Sequence, residues 1–218
     1  MSAVGSSTKE VKQRRGPAYR IVTDRLVVRC WDPTDASKLK SAIDMSIDHL
    51  RPWMPWATLD MLPLEARVAW IRTCRGEFDL DRNYIYGVFN KDESEVIGGT
   101  GLHARQSPEA REIGYWISKA HVGHGYATEV SAALTKVAFE IDGMKRVEIH
   151  CAVDNAKSAA IPKKLGFERE AILKQRGLLV DEIATDSMIW TLFKESYPGS
   201  MPQRANIKAY DVVGKQIL

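Results

Sequence analysis

The sequence has few cysteines and no long apolar run. Its three cysteines, Cys30, Cys74 and Cys151, are odd in number and widely separated, and none belongs to a CxxC or Cys/His pattern. This spacing argues against a zinc site or a disulfide framework and indicates a reducing compartment. No segment approaches the roughly 18 uncharged residues of a membrane span, and the polar, basic first residues lack the apolar core of a signal peptide. We therefore predict a cytoplasmic protein without a metal.

The chain also lacks a large excess of either charge. A formal net charge of +3 is too small to indicate nucleic-acid binding, although it suits an anionic small ligand. The 218 residues, 44% hydrophobic and 27% charged, fit one globular domain with short tails. We predict a flexible basic tail over residues 1–18, a domain over 19–197, and a C-terminal extension over 198–218 with enough apolar residues to dock as a strand.

Hydrophobic patterns predict a mixed α/β (α+β) domain. Residues 20–30 have the composition of one strand, the turn at 31–34 starts a helix through about Ile47, and a second helix runs from Pro63 to near Asp81. Three strands that suggest an antiparallel meander come next, and a helix then runs to the Asp142-Gly143 stop. The remaining predicted elements are strands at 84–90, 95–103, 111–118, 146–153, 167–175 and 185–193, and a helix at 155–165.

The stretch HVGHGYATEV, residues 121–130, places two glycines just before a helical pattern. A helix N-terminus carries free amides and the positive end of the helix dipole, which attract phosphate. Gly123 and Gly125 would let the backbone approach that anion. A dinucleotide-binding fold is an alternative because Asp154 ends the next strand, but residue 128 is Thr and no further βα units follow. The absence of Gly-Lys-Ser/Thr excludes a Walker A loop.

These residues resemble the GNAT N-acyltransferases, which bind acetyl-CoA with the motif Q/R-x-x-G-x-G/A. The frame here begins at Val122, where Gln or Arg is usual, and continues Gly123-His124-Gly125-Tyr126-Ala127. The segment DNAKSAAIPKKLGF, residues 154–167, is similar to a second motif of this family. Within this family the chain resembles the RimJ/RimL branch. Enzymes of that branch acetylate protein N-termini, and others related to them act on small molecules in resistance or metabolism.

The resemblance implies a GNAT fold, with a central mixed, mostly antiparallel sheet of about seven strands and about four helices. It also implies that the fourth and fifth strands splay apart and that acetyl-CoA, the co-substrate, lies between them. Gly114 would let a ligand approach that strand closely, or it marks a β-bulge. Lys119, Lys157, Lys163 and Lys164 could meet a 3′-phosphate by charge. The cofactor-binding residues expected are Trp116, Ile117, Ser118, Gly123, His124, Gly125, Tyr126, Ala127, Thr128 and Asn155.

Two residues are expected from the resemblance to take part in the chemistry. Glu112 matches a glutamate that serves some of these enzymes as general base, and Ser158 matches a serine that protonates the leaving thiolate. Asn155 and Ser158 also suit the first turn of a helix, where their side chains hydrogen-bond to the backbone. The branch has a further glutamate where this chain has Gly177, and Asp181, Glu182 or Asp186 could replace it. His150, on an alternating strand, is expected to be packed or paired.

Two tryptophans mark the expected acceptor site. Trp53 and Trp56, held by Pro52 and Pro55, would either line a substrate site or anchor their own loop. We predict direct transfer of an acetyl group from acetyl-CoA, in a ternary complex, to a primary amine, with a protein N-terminus of the ribosomal type favoured. The alternatives are a small-molecule amine, such as an antibiotic, an aminoacyl compound or a polyamine, and a catalytically lapsed acyl-CoA sensor. The expected partners are the acyl-CoA and the amine, without nucleic acid or membrane, in a monomer or homodimer.

Overall fold

The computed structural model describes residues 16–57, 62–104, 107–179 and 183–218. One mixed sheet runs through this part of the chain, with helices on both faces. The helices are α1 (Ala36–Asp44), α2 (Ile47–Leu50), α3 (Leu64–Asp79), α4 (Tyr126–Glu140) and α5 (Ala156–Lys164). The strands are β1 (Arg20–Val22), β2 (Leu26–Cys30), β3 (Tyr84–Asn90), β4 (Val96–Ala104), β5 (Ala110–Ile117), β6 (Arg146–Ala152), β7 (Glu168–Leu178), β8 (Ala184–Phe193) and β9 (Lys208–Tyr210).

The sheet has the order β7-β8-β6-β5-β4-β3-β2-β1-β9. Its pairs are antiparallel except for β5 and β6, which run parallel. Strands β3, β4 and β5 form the antiparallel meander that the three strand patterns predicted. The prediction of a mixed, mostly antiparallel sheet is therefore confirmed.

Two apolar clusters cover the two faces of the sheet. On one face, α4 packs Val130, Leu134 and Val137 against Tyr86 and Ile113. On the other, α1 and α3 pack Leu39 and Ile71 against Trp31 and Phe89. Because side chains alternate along a strand, neighbouring residues of β5 belong to different faces. We call these the α4 face and the α1 face.

The prediction of one strand over residues 20–30 was wrong. The chain turns at Thr23, whose hydroxyl accepts a hydrogen bond from the Leu26 backbone N–H at 3.0 Å, and β1 and β2 pair as a hairpin. This hairpin and β9, which pairs with β1, explain why the sheet has nine strands rather than about seven. The first predicted helix also stops early, at Asp44, and a short second helix follows.

Both glycines of the 121–130 stretch have a left-handed backbone conformation. Gly123 has φ +83° and Gly125 has φ +78°. Gly125 is the N-cap of α4, so the helix begins directly after the glycine pair. Within the described ranges, no helix is both long and apolar enough to span a membrane.

Candidate active site

A gap between β5 and β6 forms the centre of the candidate site. The two strands pair only from Ala110↔Arg146 to Glu112↔Glu148. Beyond Glu112, β5 continues along β4, while β6 continues along β8. The fourth and fifth predicted strands are β5 and β6, so the splayed arrangement is confirmed.

Backbone groups of β5 line this gap. The Ser118 N–H donates to the Ile97 carbonyl at 2.9 Å, next to the Gly98↔Ile117 pair. In an antiparallel ladder alternate residues direct their backbone groups at the partner strand, so those of Trp116 point to β4 and those of Tyr115 and Ile117 point into the gap. Of Trp116, Ile117 and Ser118, which were predicted to meet a ligand here, only Ile117 therefore directs its backbone groups toward β6.

The glycine loop, residues 122–125, leads into α4 at one end of the gap. An ideal Cβ built at Gly123 would have no atom within 4 Å, so the loop leaves open space beside its backbone. The N–H groups of Tyr126, Ala127 and Thr128 occupy the first turn of a 15-residue helix, where helix geometry supplies no partner for them. This arrangement suits the pyrophosphate of an acyl-CoA.

Arg25, in the β1–β2 turn, contacts the glycine loop and the first turn of α4. Its guanidinium contacts Glu129 Oε2 at 2.6 Å and donates to the His124 carbonyl at 3.0 Å. The guanidinium carbon also lies 4.6 Å from the centre of the Tyr126 ring, which stacks on His124. Val122, where the family motif usually has Gln or Arg, is 42% exposed. The role of Arg25 was missed because nothing local links it to a loop about 100 residues later.

Two lysines bring positive charge near α2. The pKa of His49 is lowered by burial and then by the charges of Lys157 and Lys119. Lys119 follows β5 and Lys157 lies in the first turn of α5, so their charges flank the gap from both sides. Both are among the lysines predicted to meet a phosphate.

Glu112 lies on the α1 face, where pairing between β5 and β6 ends. Its side chain is 13% exposed, and Oε2 lies 3.3 Å from Nδ1 of His150. The other ring nitrogen of His150 lies 2.9 Å from Glu148 Oε2, and Glu148 accepts from Arg146 at 2.7 Å. Burial raises the pKa of Glu148, but the hydrogen bonds from Arg146 and His150 outweigh it and hold the pKa below its ordinary value. His150 is thus a paired residue, as expected.

Ser158 lies on the opposite, α4 face of the same gap. Its backbone N–H donates to Asn155 Oδ1 at 3.0 Å, so Asn155 caps α5, as the alternative interpretation proposed. The Asn155 NH₂ group is not used by this cap. The Tyr115 hydroxyl lies 3.0 Å from Ser158 Oγ, and Ser158 also interacts with the Cys151 thiol. Strand alternation predicts the face of Tyr115, but only the fold reveals its partner.

Residues near the end of β7 do not supply an evident second base. Gly177 pairs with Thr185, and a Cβ there would lie 2.8 Å from the Thr185 methyl group. Asp186 is bound by Lys174 at 2.7 Å and by the Gln175 N–H at 3.0 Å, and these bonds lower its pKa. Asp181 and Glu182 lie outside the described residues.

Aromatic rings cover the α1 face beside the gap. Trp56 is 44% exposed and meets Trp116 edge-on at 6.0 Å, while Trp53 is half-buried. A Cβ at Gly99 would lie 2.5 Å from the Trp116 ring, and one at Gly114 would lie 3.1 Å from the His103 ring. Gly114 pairs regularly with Gly101, so the bulge alternative was wrong and the glycine makes room for a ring. In the described ranges, no three His, Cys, Asp or Glu residues cluster as metal ligands.

Comparisons with known proteins agree with this architecture. Residues 25–168 match the family model described as an acetyltransferase (GNAT) domain. The chain is 31% identical to YdaF of Bacillus subtilis (strain 168) over 179 residues, which cover 82% of this chain and 96% of that protein. It is 29% identical to the ribosomal protein uS5-alanine N-acetyltransferase of Escherichia coli (strain K12) over 182 residues, covering 81% of this chain and 91% of the relative.

Solved structures show the same fold at lower identity. RimJ of Mycobacterium smegmatis, in complex with CoA-disulfide, superposes with a TM-score of 0.74 at 23% identity. That alignment covers 82% of this chain and 87% of RimJ. RimL, a ribosomal L7/L12 alpha-N-protein acetyltransferase in complex with coenzyme A, has a TM-score of 0.72 at 21% identity, with 80% of this chain and 97% of RimL covered.

Proposed function

The chain belongs to the acetyltransferase (GNAT) family, and from that premise we propose that it transfers the acetyl group of acetyl-CoA directly to a primary amine at a protein N-terminus. One observation carries this proposal. The gap between β5 and β6 has a carboxylate, Glu112, on one face and a hydroxyl, Ser158, on the other. Acyl transfer from a thioester needs a proton acceptor for the amine and a donor for the sulfur, on opposite sides of the reacting carbon.

The residues present suit acetyl-CoA, which supplies an activated thioester when bound. The first-turn N–H groups of α4 would hold the pyrophosphate, because they have no partner within the helix and the space beside Gly123 is open. The backbone groups of Tyr115 and Ile117 would bind the pantetheine amides in the way an exposed strand edge binds an extended chain. The Asn155 NH₂ group would donate from the far side of the gap.

Glu112 would accept the amine proton as the amine attacks. The ring of His150 lies between Glu112 and Glu148 and restricts the orientation of the Glu112 carboxylate. Ser158 would donate a hydrogen bond to the sulfur as the C–S bond breaks. The two side chains approach from opposite faces, so amine and thioester can occupy the site together, as direct transfer in a ternary complex requires.

An N-terminal amine is the favoured acceptor for two reasons. The α1 face offers the Trp56 and Trp116 rings, which suit a peptide better than a bare polyamine. In addition, two of the similar proteins are named for ribosomal acceptors, namely uS5 at an alanine and L7/L12 at the α-amine. The ribosomal type of acceptor is therefore our first choice.

The proposal is tested by measuring thiol release from acetyl-CoA with a panel of amines. The panel contains peptides beginning with Ala or Ser, the same peptides with a blocked N-terminus, and small amines including polyamines and aminoacyl compounds. We expect release with the free peptides and none with the blocked ones. Propionyl-CoA and succinyl-CoA, tested in parallel, define the acyl group.

Two outcomes would contradict the proposed transfer to a protein N-terminus. Faster release with a small amine than with every peptide would make the protein a small-molecule acetyltransferase. Tight acetyl-CoA binding without release for any amine would indicate a lapsed enzyme that senses acyl-CoA, which the valine at 122 and the glycine at 177 would then help to explain.

A further inference from the structure

Tyr115 connects β5 to α5 across the gap. Its side chain leaves β5 on the α4 face, and its hydroxyl lies 3.0 Å from Ser158 Oγ and 3.2 Å from the Ser158 carbonyl. Burial raises the pKa of Tyr115, and the opposing effect of the Ser158 hydrogen bond is smaller. The phenol therefore keeps its proton at physiological pH. It can donate that proton to Ser158 Oγ or to the Ser158 carbonyl, and Ser158 Oγ can also donate to it.

Few other titratable groups are close to Ser158. The Cys151 thiol of β6 interacts with it, and burial raises the pKa of that thiol, so it too stays protonated. Lys157 precedes Ser158 in α5. The backbone of Ser158 is held by the Asn155 cap. Its side-chain hydroxyl contacts the phenol of Tyr115 at 3.0 Å and also interacts with the Cys151 thiol.

We propose that Tyr115 is a positioning residue that holds the Ser158 hydroxyl with its proton directed into the gap, and that the pair stabilises the thiolate of CoA. The inference rests on the proposed function, because it identifies the thiol end of that site. When the phenol donates to Ser158 Oγ, the Ser158 hydroxyl is free to donate its own proton to the sulfur of CoA. The hydrogen bond from Tyr115 polarises the Ser158 hydroxyl and so strengthens the hydrogen bond from Ser158 to the sulfur.

The bond changes balance without any further reactant. As the new C–N bond forms, the C–S bond breaks and its electron pair moves onto sulfur, where the Ser158 hydroxyl donates to it. The thiolate, held by the Ser158 hydrogen bond, takes one proton from water as CoA leaves, and Glu112 returns to water the proton that it accepted from the amine. No proton is consumed overall, and Tyr115 and Ser158 end in their starting states.

The experiment is a pH titration of the thiol of CoA while CoA is bound to the full-length protein. The ultraviolet absorbance of the thiolate measures the ionised fraction at each pH. Each variant without CoA serves as its blank. In the Tyr115→Phe variant we expect the pKa of the bound thiol to rise by about 0.5–1 unit, a shift of about 3- to 10-fold in the thiolate equilibrium. Ser158→Ala should raise it as well, and the double variant should equal Ser158→Ala alone, since Tyr115 acts through Ser158.

A matched control separates this role from stability. Tyr197→Phe also removes a hydroxyl that donates a hydrogen bond, to Glu140 at 2.6 Å, but it lies in the core away from the gap. It should leave the pKa of the bound thiol unchanged. Should Tyr115→Phe not fold, 3-fluorotyrosine at position 115 replaces it; this stronger donor of nearly the same shape should lower the pKa of the bound thiol.

An unchanged pKa in Tyr115→Phe, or in the fluorotyrosine protein if that is the one tested, would overturn the inference. So would a shift that adds to that of Ser158→Ala. The titration needs only CoA, so it is separable from the proposed function: a Tyr115-dependent shift in a protein that acetylates no amine would support the inference and reject the function. In an active enzyme, Tyr115→Phe should lower kcat with little change in the KM for acetyl-CoA.

Discussion

Residues three apart on one strand serve the two halves of the proposed reaction. Glu112 and Tyr115 both belong to β5, but their side chains leave opposite faces of the sheet because a strand alternates with a period of two. Glu112 thereby joins His150 on the α1 face, and Tyr115 joins Ser158 on the α4 face. The proposed proton acceptor, Glu112, and the proposed positioning residue, Tyr115, are therefore close along the chain yet lie on opposite faces of the sheet.

Replacing Glu112 with Gln tests the proposed proton acceptor. We expect kcat/KM for the peptide amine to fall about 100-fold or more, because an amide cannot accept the proton that a carboxylate does. The dissociation constant of CoA, measured by calorimetry, should not change. The matched control is Glu170→Gln, in β7, whose carboxylate accepts from Thr191. An equal loss in both variants, or none in Glu112→Gln, would remove Glu112 from the mechanism.

At the scale of elements, the start of α4 depends on a backbone shape that favours glycine. Gly125 caps the helix at φ +78°, in the left-handed region where a Cβ costs about 1–2 kcal/mol. Gly123 has the same left-handed conformation, and the space beside it is open. Arg25 stabilises this turn because it binds both Glu129 of α4 and the His124 carbonyl of the glycine loop.

Gly125→Ala should weaken CoA binding about 5- to 30-fold, which corresponds to the cost of the left-handed backbone when the loop relaxes away from it. Gly143→Ala is the matched control, since Gly143 also has a left-handed backbone, with φ +69°, but follows the C-terminal end of α4. An ideal Cβ meets no atom within 4 Å at Gly143 and only Nη2 of Arg25, at 3.8 Å, at Gly125. Both variants should lose stability in urea unfolding. Only Gly125→Ala should lose CoA affinity, measured by calorimetry, and equal affinities would contradict the proposed cradle.

A charge network joins the β1–β2 hairpin to the turn between β3 and β4. Arg20 contacts Glu93 at 2.6 Å, Arg29 contacts the same carboxylate, and Arg29 also binds Asp35 at 2.8 Å. Burial raises the pKa of Glu93, but the hydrogen bonds and charges of Arg20 and Arg29 outweigh it and lower the pKa. Stability from Glu93 is therefore present above its unfolded pKa and is lost as pH falls through the lower folded value.

Glu93→Gln should accordingly reduce the free energy of unfolding by about 1–3 kcal/mol at pH 7, the usual contribution of hydrogen bonds to charged groups. The difference from the natural chain should shrink as the pH falls below 4, because the carboxylate is then protonated in both states. Urea unfolding at several pH values measures it. Glu77→Gln, which removes an exposed partner of Arg82, should change stability little. A pH-independent difference would refute the linkage.

At the scale of the whole molecule, the C-terminal segment closes the edge of the sheet. Strand β9 pairs with β1, Ala209 is fully buried, and Ile217 and Leu218 pack against the main core. Lys136 of α4 donates to the carbonyls of Gln203 and Ala205 at 2.9 and 3.1 Å. The segment is therefore part of the packed structure and covers an otherwise open edge.

Deletion of residues 206–218 should lower the free energy of unfolding by about 3 kcal/mol or more, from the apolar area that β9 and the last residues bury. Calorimetric melting gives the measurement. Val213→Ser in the full chain is the control, because Val213 belongs to the same segment but is 82% exposed, and its replacement should leave the Tm nearly unchanged. A truncated protein with the Tm of the full chain would show that β9 contributes nothing.

Most strand and helix positions were predictable because they follow from local properties. Strands β3, β4 and β5 begin and end within about a residue of the hydrophobic patterns, and α4 begins right after its glycine cap. The hairpin at Thr23 was missed because the apolar residues on both sides of the turn continue one pattern. The count of nine strands followed from that turn and from β9, whose partner is nearly 190 residues away.

The sequence alone determined the family and the glycines of the proposed phosphate site, because those depend on motifs within a few residues. The splayed strands were expected only because the resemblance to that family implies them. Only the tertiary structure decided that Arg25 supports the glycine loop, that His150 lies between Glu112 and Glu148, and that Tyr115 meets Ser158. Each of these contacts joins residues on different strands or helices. Their distances depend on the order and register of the sheet, which long-range packing determines and local propensity does not.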